Sequence, residues 1–119
     1  MTKEQAERLT AEGIYVYESL ERLGNNMDLL DTITVMFTGD KSFKKLIEGV
    51  DSMDDELAYD GTHTLKSLAG NLSMHKLYEL CEKQYSLYKS GKVKEAWAMT
   101  DEVSCEYERV LAVIKEVIL

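Results

Sequence analysis

Residues 58–72 read Ala-Tyr-Asp-Gly-Thr-His-Thr-Leu-Lys-Ser-Leu-Ala-Gly-Asn-Leu, and this stretch decides the fold. In a helix, where successive residues lie about 100° apart, five of its small or apolar residues fall on one narrow stripe. They are Ala58, Thr62, Leu65, Ala69 and Leu72. Their alternating spacing is typical of a helix that packs into a bundle. The stretch therefore predicts a long helix with one buried face.

The opposite face of this predicted helix carries the reactive side chains. His63 lies roughly 160° around the axis from Leu65 and points away from the core. Its neighbours one or two turns away are Tyr59, Asp60, Lys66, Ser67 and Gly70. The small residues leave a shallow strip beside the imidazole on which a large partner can dock. Lys66 supplies a mobile positive charge for an anionic group attached to the ring.

A simpler interpretation competes with this one. A single surface histidine is most often only a surface residue, and a glycine within a helix often only lets two helices pack closely. Gly61 and Gly70 each cost the helix roughly 1 kcal/mol relative to alanine. His63 taken alone therefore favours the simpler interpretation, and a longer pattern is needed to change it.

That longer pattern is present. Residues 63–72 read His-Thr-Leu-Lys-Ser-Leu-Ala-Gly-Asn-Leu, and residues 77–82 read Leu-Tyr-Glu-Leu-Cys-Glu. The combination resembles the histidine-containing phosphotransfer (HPt) family, whose pattern is His-x-Leu-Lys-Gly, a run of small residues, and a second helix with Leu-x-x-Leu-Cys or similar. Residues 13–14, 20–25, 58–59 and 106–110 also look like this family. The resemblance covers most of the chain and is most specific around His63.

The resemblance implies a phosphorelay function. His63 would accept a phosphoryl group from an aspartate of a receiver domain and pass it to another receiver domain, and Lys66 would stabilise the phosphoryl charge. The docking surface for the partner would comprise Tyr59, Asp60, Ser67, Gly70 and Asn71. The partners would be response-regulator receiver domains and a hybrid sensor histidine kinase. The receiver would supply the magnesium ion, so this chain would need no cofactor and have no kinase activity of its own.

Three positions depart from the family pattern or add to it. Ser67 and Ser73 stand where the family has glycines, which leaves a docking helix slightly less room. Asp60 lies one turn before His63, where its carboxylate would repel a phosphoryl group. The second nitrogen of the imidazole needs a partner to fix its orientation. Gln84 on the following helix is one candidate, and Asp60 is nearer in sequence.

Composition narrows the possible functions. A chain of 119 residues is expected to form one domain, residues 1–119, and the absence of proline favours helices. The net charge of −8 makes nucleic acid and anionic membrane surfaces poor partners. With no signal-peptide core and no apolar run of bilayer length, we expect a cytoplasmic protein. The initial Met and the lack of a linker favour a free-standing protein, and we expect a monomer.

The apolar periodicity predicts an all-α fold: an up-and-down antiparallel four-helix bundle with one or two short N-terminal helices. The short helices would span residues 3–11 and 14–23. One long helix would span residues 27–50, with a break at Gly39-Asp40 and a cap at Ser42 as the alternative. Ser52 would cap the helix that ends at Leu72. Ser73 would cap the next helix, residues 74–89, and the last helix would span residues 93–117.

Other chemistry is not indicated. The sequence has no glycine-rich phosphate loop and no evident nucleophile–base arrangement. Cys81 lies on a core stripe, and the spacing of the cysteines and histidines does not suggest a metal site. The expected cytoplasmic location argues against a disulfide. Two alternatives to the phosphocarrier remain. One is an adaptor of the same fold that docks receiver domains or other proteins without phosphorylation. The other is a generic helical-bundle interaction domain with no receiver partner, which burial of the outer face in a homodimer would favour.

Overall fold

Eight α-helices make up the regular structure of the chain. The computed structural model describes all 119 residues and contains no strand, only an isolated bridge between Ile14 and Met74. The helices are α1 (Lys3–Ala11), α2 (Val16–Arg22), α3 (Met27–Gly39), α4 (Ser42–Asp51), α5 (Asp55–Asn71), α6 (His75–Lys89), α7 (Val93–Ala98) and α8 (Thr100–Ile118). The prediction of an all-α fold is therefore confirmed.

The two short N-terminal helices lie where the sequence predicts them. Thr2 caps α1, since its hydroxyl accepts a hydrogen bond from the backbone of Gln5 while the Gln5 side chain accepts one from Thr2 N. After α2, Gly24 adopts a left-handed conformation (φ 65°) that ends the helix. Asn26 then caps α3, because its side chain accepts from the backbone N–H of Leu29.

The prediction of one continuous helix over residues 27–50 is wrong, and the broken alternative is right. Asp40 is extended (φ −71°, ψ 146°), and its carboxylate accepts a hydrogen bond from the backbone N–H of Ser42 at 2.7 Å. A short acidic side chain competes in this way with helical hydrogen bonding. Ser42 is consequently the first residue of α4 and does not cap it. The break lets α3 pack on α8 while α4 packs on α5.

Helices α4 and α5 approach each other very closely, and two glycines make this possible. A Cβ atom on Gly49 would lie 2.3 Å from the backbone nitrogen of Ala58, and one on Gly61 would lie 2.5 Å from that of Leu46. Gly61 therefore serves helix packing. The connection between the two helices also corrects a predicted cap, because the side chain of Asp54, and not Ser52, accepts from the backbone of α5.

The turn between α5 and α6 is built around Ser73. This residue has φ 53° and does not cap α6, contrary to the prediction. Its buried hydroxyl lies 2.8 Å from that of Ser19 and 2.8 Å from Nη2 of Arg22. The same Arg22 nitrogen donates to the carbonyl of Gly70 at 2.7 Å, at the end of α5, where carbonyls lack helical partners. Arg22 thus attaches the end of α5 to α2.

The core is a single cluster of buried side chains to which α1 and the later helices contribute. All five residues of the stripe predicted for residues 58–72 are buried, which confirms that face of α5. Burial raises the pKa of the Cys81 thiol to about 12, in keeping with its predicted place in the core.

The last predicted helix is divided at Met99 into α7 and α8. None of the eight helices has both the length and the apolar character needed to span a bilayer.

Candidate functional site

His63 lies on the exposed side of α5, near the middle of the helix. No protein group forms a hydrogen bond with either nitrogen of its ring; the residue's one hydrogen bond outside the helix ladder is at its carbonyl, which accepts from the Ser67 hydroxyl at 3.3 Å. The other histidine of the chain is different, because Nε2 of His75 lies 2.8 Å from a carboxylate oxygen of Glu18. Of the two imidazoles, His63 is therefore the one whose nitrogens are not used by the fold.

Two tyrosines flank the His63 ring. The ring of Tyr85, from α6, is stacked on the imidazole with centroids 5.1 Å apart and an interplanar angle of 24°. The ring of Tyr59, one turn before His63 on α5, lies 6.3 Å from the imidazole and 5.1 Å from Tyr85. The two tyrosine hydroxyls are 3.1 Å apart, with Tyr59 as the donor, and this bond raises the pKa of Tyr59. The sequence suggested that mainly small residues surround the imidazole. In the structure the imidazole is exposed, but two large aromatic rings lie beside it.

Lys66 is held in place rather than mobile. Its Nζ lies 2.9 Å from Oε2 of Glu82 on α6 and 4.3 Å from the centre of the Tyr85 ring. Only 19% of its side chain is exposed. The hydrogen bond with Glu82 raises the pKa of Lys66 and lowers that of Glu82. A cation therefore stands one helical turn from the imidazole, as predicted, but a carboxylate already balances its charge.

Gln84 does not orient the imidazole, which corrects the prediction. The residue is fully buried, and its side-chain oxygen accepts from the hydroxyl of Thr62 at 3.1 Å. Its amide nitrogen donates to the carbonyl of Ala96 at 3.0 Å and to the hydroxyl of Thr100 at 3.3 Å. Both polar groups of the Gln84 side chain are thus used to join α6 to α5, α7 and α8 inside the core, as buried amides require.

The expected docking residues divide into two groups. Tyr59 and Gly70 lie on the α6 side, where Tyr78 covers Gly70: a Cβ on that glycine would be 3.3 Å from the Tyr78 ring. Asp60, Ser67 and Asn71 lie on the other side of His63 and are exposed. The open strip of α5 therefore runs along residues with small or polar side chains, spaced by one helical turn: Asp60, Thr64, Ser67 and Asn71.

Sequence reasoning assigned the wrong residue of α6, Gln84, to this site and missed the residues of α6 that do contact it. His63 contacts Tyr85, Lys66 contacts Glu82, and Gly70 contacts Tyr78. The two members of each pair lie equal numbers of residues before and after Met74, as expected for two helices that run antiparallel from a tight turn there. Counting equal numbers of residues before and after this turn would have predicted from the sequence that Tyr85 lies beside His63 and Glu82 beside Lys66.

The electrostatic surroundings of His63 are mixed. Asp60 lies on the open strip, whereas Lys66 and Lys89 both lie near the Tyr85 ring, with Lys89 Nζ 5.9 Å from its centre. Two ammonium groups therefore lie beside the ring that is stacked on the imidazole, and one of them, Lys66, is paired with Glu82. No three His, Cys, Asp or Glu side chains converge in a way that would hold a metal ion. Chemically, the arrangement offers an accessible nitrogen nucleophile with nearby cations.

Comparisons of the chain with protein-family models, with curated proteins and with solved structures give no significant match.

Proposed function

We propose that this chain is a histidine phosphotransfer protein of a phosphorelay, as the HPt-like sequence pattern implies. One observation carries the proposal: the His63 imidazole is exposed on the middle of a helix, and no protein group uses its nitrogens. An imidazole nitrogen with a pKa near 6.5 in model peptides is a competent nucleophile at neutral pH. The other histidine, His75, is engaged with Glu18.

The proposed step is a direct transfer. The lone pair of a neutral His63 ring nitrogen attacks the phosphorus of an aspartyl phosphate on a receiver domain. The new N–P bond forms while the P–O bond to the aspartate breaks, and the aspartate leaves as a carboxylate with the bonding electron pair. The other ring nitrogen keeps its proton. In the second half of the relay, the phosphoryl group moves to the aspartate of another receiver domain by the reverse chemistry.

Positioning and charge neutralisation dominate phosphoryl transfer, and the residues around His63 suit both tasks. Lys66 and Lys89 lie near the ring of Tyr85, which is stacked on the imidazole. The other side offers the low strip of Asp60, Thr64, Ser67 and Asn71 for an approaching domain. The magnesium ion and the acidic pocket that bind the transferred group belong, in this proposal, to the receiver domain.

The proposal extends to the architecture and the cellular setting. The chain would form an up-and-down antiparallel bundle of four members, and α1 and α2 would lie across it. The pair α3–α4 would form the first member, α5 the second, α6 the third and the pair α7–α8 the fourth. The chain would act as a cytoplasmic monomer between response-regulator receiver domains, with a hybrid sensor histidine kinase upstream. It would have no kinase activity of its own and need no cofactor.

The test is incubation of the protein with a receiver domain carrying ³²P on its aspartate. We expect label to move to this chain and to be acid-labile and base-stable, as a phosphoramidate is. A receiver domain whose phosphorylatable aspartate is changed to asparagine serves as the control and should transfer nothing. Failure to obtain label from a panel of phosphorylated receiver domains would contradict the proposal.

A non-phosphorylated adaptor remains the second candidate, and one observation favours it. The ammonium group of Lys66 is already bound to Glu82 and covered in part by Tyr85, so it is not free to meet a phosphoryl group without rearrangement. An adaptor would bind a receiver domain through the face around His63 and remain unlabelled. Binding measured by calorimetry together with the absence of label would favour this alternative.

A further inference from the structure

The His63 ring is held by one residue of the neighbouring helix that no sequence pattern singled out. Tyr85 stacks on the imidazole at 5.1 Å, and it is the nearest aromatic ring to it. A hydrogen bond between hydroxyls and a ring contact at 5.1 Å tie Tyr85 in turn to Tyr59. Tyr85 is half-buried.

The same ring also contacts the cation of the site. Lys66 Nζ lies 4.3 Å from its centre, a distance at which an ammonium group is attracted to the electron-rich face of a tyrosine. Tyr85 therefore contacts both His63 and Lys66. No hydrogen bond engages either ring nitrogen of His63, so the aromatic contacts with Tyr85 and, at a longer distance, Tyr59 are the contacts recorded for its ring.

We propose that Tyr85 is a positioning residue, whose ring holds the His63 imidazole in the orientation from which it meets the phosphoryl donor. The inference rests on the proposed function for its consequence, but the restraint on the ring can be measured without any partner. A flat ring on the neighbouring helix limits rotation of the imidazole while leaving its nitrogens at the edge free. A hydrogen bond to one nitrogen would restrain the ring too, but would occupy an atom needed for transfer.

Two substitutions separate the aromatic ring from the rest of the side chain. Tyr85→Phe keeps the ring and loses the hydroxyl bonded to Tyr59, whereas Tyr85→Leu keeps apolar bulk and loses the flat ring. Both replacements suit an α-helix and a half-buried position, and far-ultraviolet circular dichroism checks that each variant is folded. The matched control is Tyr15→Leu, because the Tyr15 ring contacts the other histidine, His75, with centroids 5.1 Å apart.

The first readout is the order parameter of the His63 ring from ¹³C NMR relaxation. We expect it to fall in Tyr85→Leu, to stay near the wild-type value in Tyr85→Phe, and to be unaffected by Tyr15→Leu. The second readout is single-turnover transfer from a phosphorylated receiver domain. The maximal rate constant should fall roughly 2- to 10-fold in Tyr85→Leu, the range expected for loss of one aromatic contact. The receiver concentration that gives half the maximal rate should stay unchanged.

Each outcome decides the inference. An unchanged ring order parameter in Tyr85→Leu, or an unchanged maximal rate constant despite a loosened ring, overturns it. A change confined to the half-saturating concentration also overturns it, because that would make Tyr85 a docking residue. If wild-type protein takes no label while the ring still loosens in Tyr85→Leu, the proposed function fails and the restraint by Tyr85 stands.

Discussion

The Nζ atom of Lys66 and the Oε2 atom of Glu82 are 2.9 Å apart, and this pair joins the two helices of the candidate site. The predicted phosphoryl-stabilising cation is thus bound to a carboxylate before any partner arrives. Nearly half of the Glu82 side chain is exposed, so an incoming phosphoryl group can compete with it for the lysine. Because Glu82 remains accessible to water, the pair contributes only modestly to stability, and little free energy is needed for Lys66 to exchange one anionic partner for another.

The first prediction concerns this exchange. Glu82→Gln should speed transfer to His63 by roughly 2- to 5-fold, because Lys66 no longer has to leave a carboxylate. Lys66→Ala should slow transfer by roughly 10-fold or more, because a charge-assisted contact with the phosphoryl group is lost. The measurement is the single-turnover rate with a labelled receiver domain.

Glu79→Gln is the matched control for Glu82→Gln, because it makes the same change of charge at an exposed α6 position that has no ion pair with Lys66. It should leave the rate unchanged. Transfer that is equally fast in Lys66→Ala and in the wild type would remove Lys66 from the mechanism.

The second prediction concerns pH. The hydrogen bond from Lys66 lowers the pKa of the Glu82 carboxyl, so in the folded protein this group should titrate below the ordinary glutamate value of about 4.3. Because the folded-state pKa is the lower one, the pair stabilises the fold at pH values above the ordinary glutamate pKa. That contribution is lost as the pH falls through the folded-state pKa.

A ¹³C NMR titration of the side-chain carboxyl of Glu82 measures this pKa directly. In Lys66→Gln the pKa should return toward the ordinary glutamate range, with the fold intact by circular dichroism. If the Glu82 carboxyl titrates at the same pH with and without the lysine, the ion pair does not persist in solution.

The third prediction concerns the close approach of α4 and α5. Gly61→Ala should lower the free energy of unfolding by about 1–3 kcal/mol. The added Cβ would overlap backbone atoms of α4, and these can move away only if the two helices separate. The gain in helix propensity only partly offsets this cost. Denaturation in urea, followed by circular dichroism, measures the difference.

Gly70→Ala is the control that measures the gain in helix propensity when alanine replaces glycine in α5. Its Cβ would meet only the Tyr78 ring, at 3.3 Å, and that side chain can shift outward. Gly70→Ala should therefore leave stability unchanged or raise it slightly. Equal effects of the two substitutions would show that helix packing at Gly61 is looser than described.

Much of α5 was predictable because its determinants are local. The stripe from Ala58 to Leu72 needs only the periodicity of an α-helix, and the placement of His63 on the opposite face follows from the same rotation. The division of residues 27–50 was harder to predict. The apolar phase continues across Gly39 and Asp40, and the break depends on one hydrogen bond, which the backbone N–H of Ser42 donates to the Asp40 carboxylate.

The contacts around His63 were only partly predictable, because they depend on how α6 lies against α5. Gln84 and Tyr85 are adjacent in sequence, and a rotation of about 100° decides which of them faces the core. The packing places Gln84 inside, among Thr62, Ala96 and Thr100, and Tyr85 beside the imidazole. The apolar spacing of residues 74–89 does not decide between the two.

The most direct test of the central claim compares two substitutions, His63→Gln and His75→Gln, after incubation with a ³²P-labelled receiver domain. Both replace an exposed α-helical imidazole with an amide, so both proteins should keep the helical circular dichroism of the wild type. Acid-labile, base-stable label should appear on the wild type and on His75→Gln, and none on His63→Gln. A His63→Gln protein that is labelled as fully as the wild type would contradict the assignment of His63 as the phosphoryl acceptor.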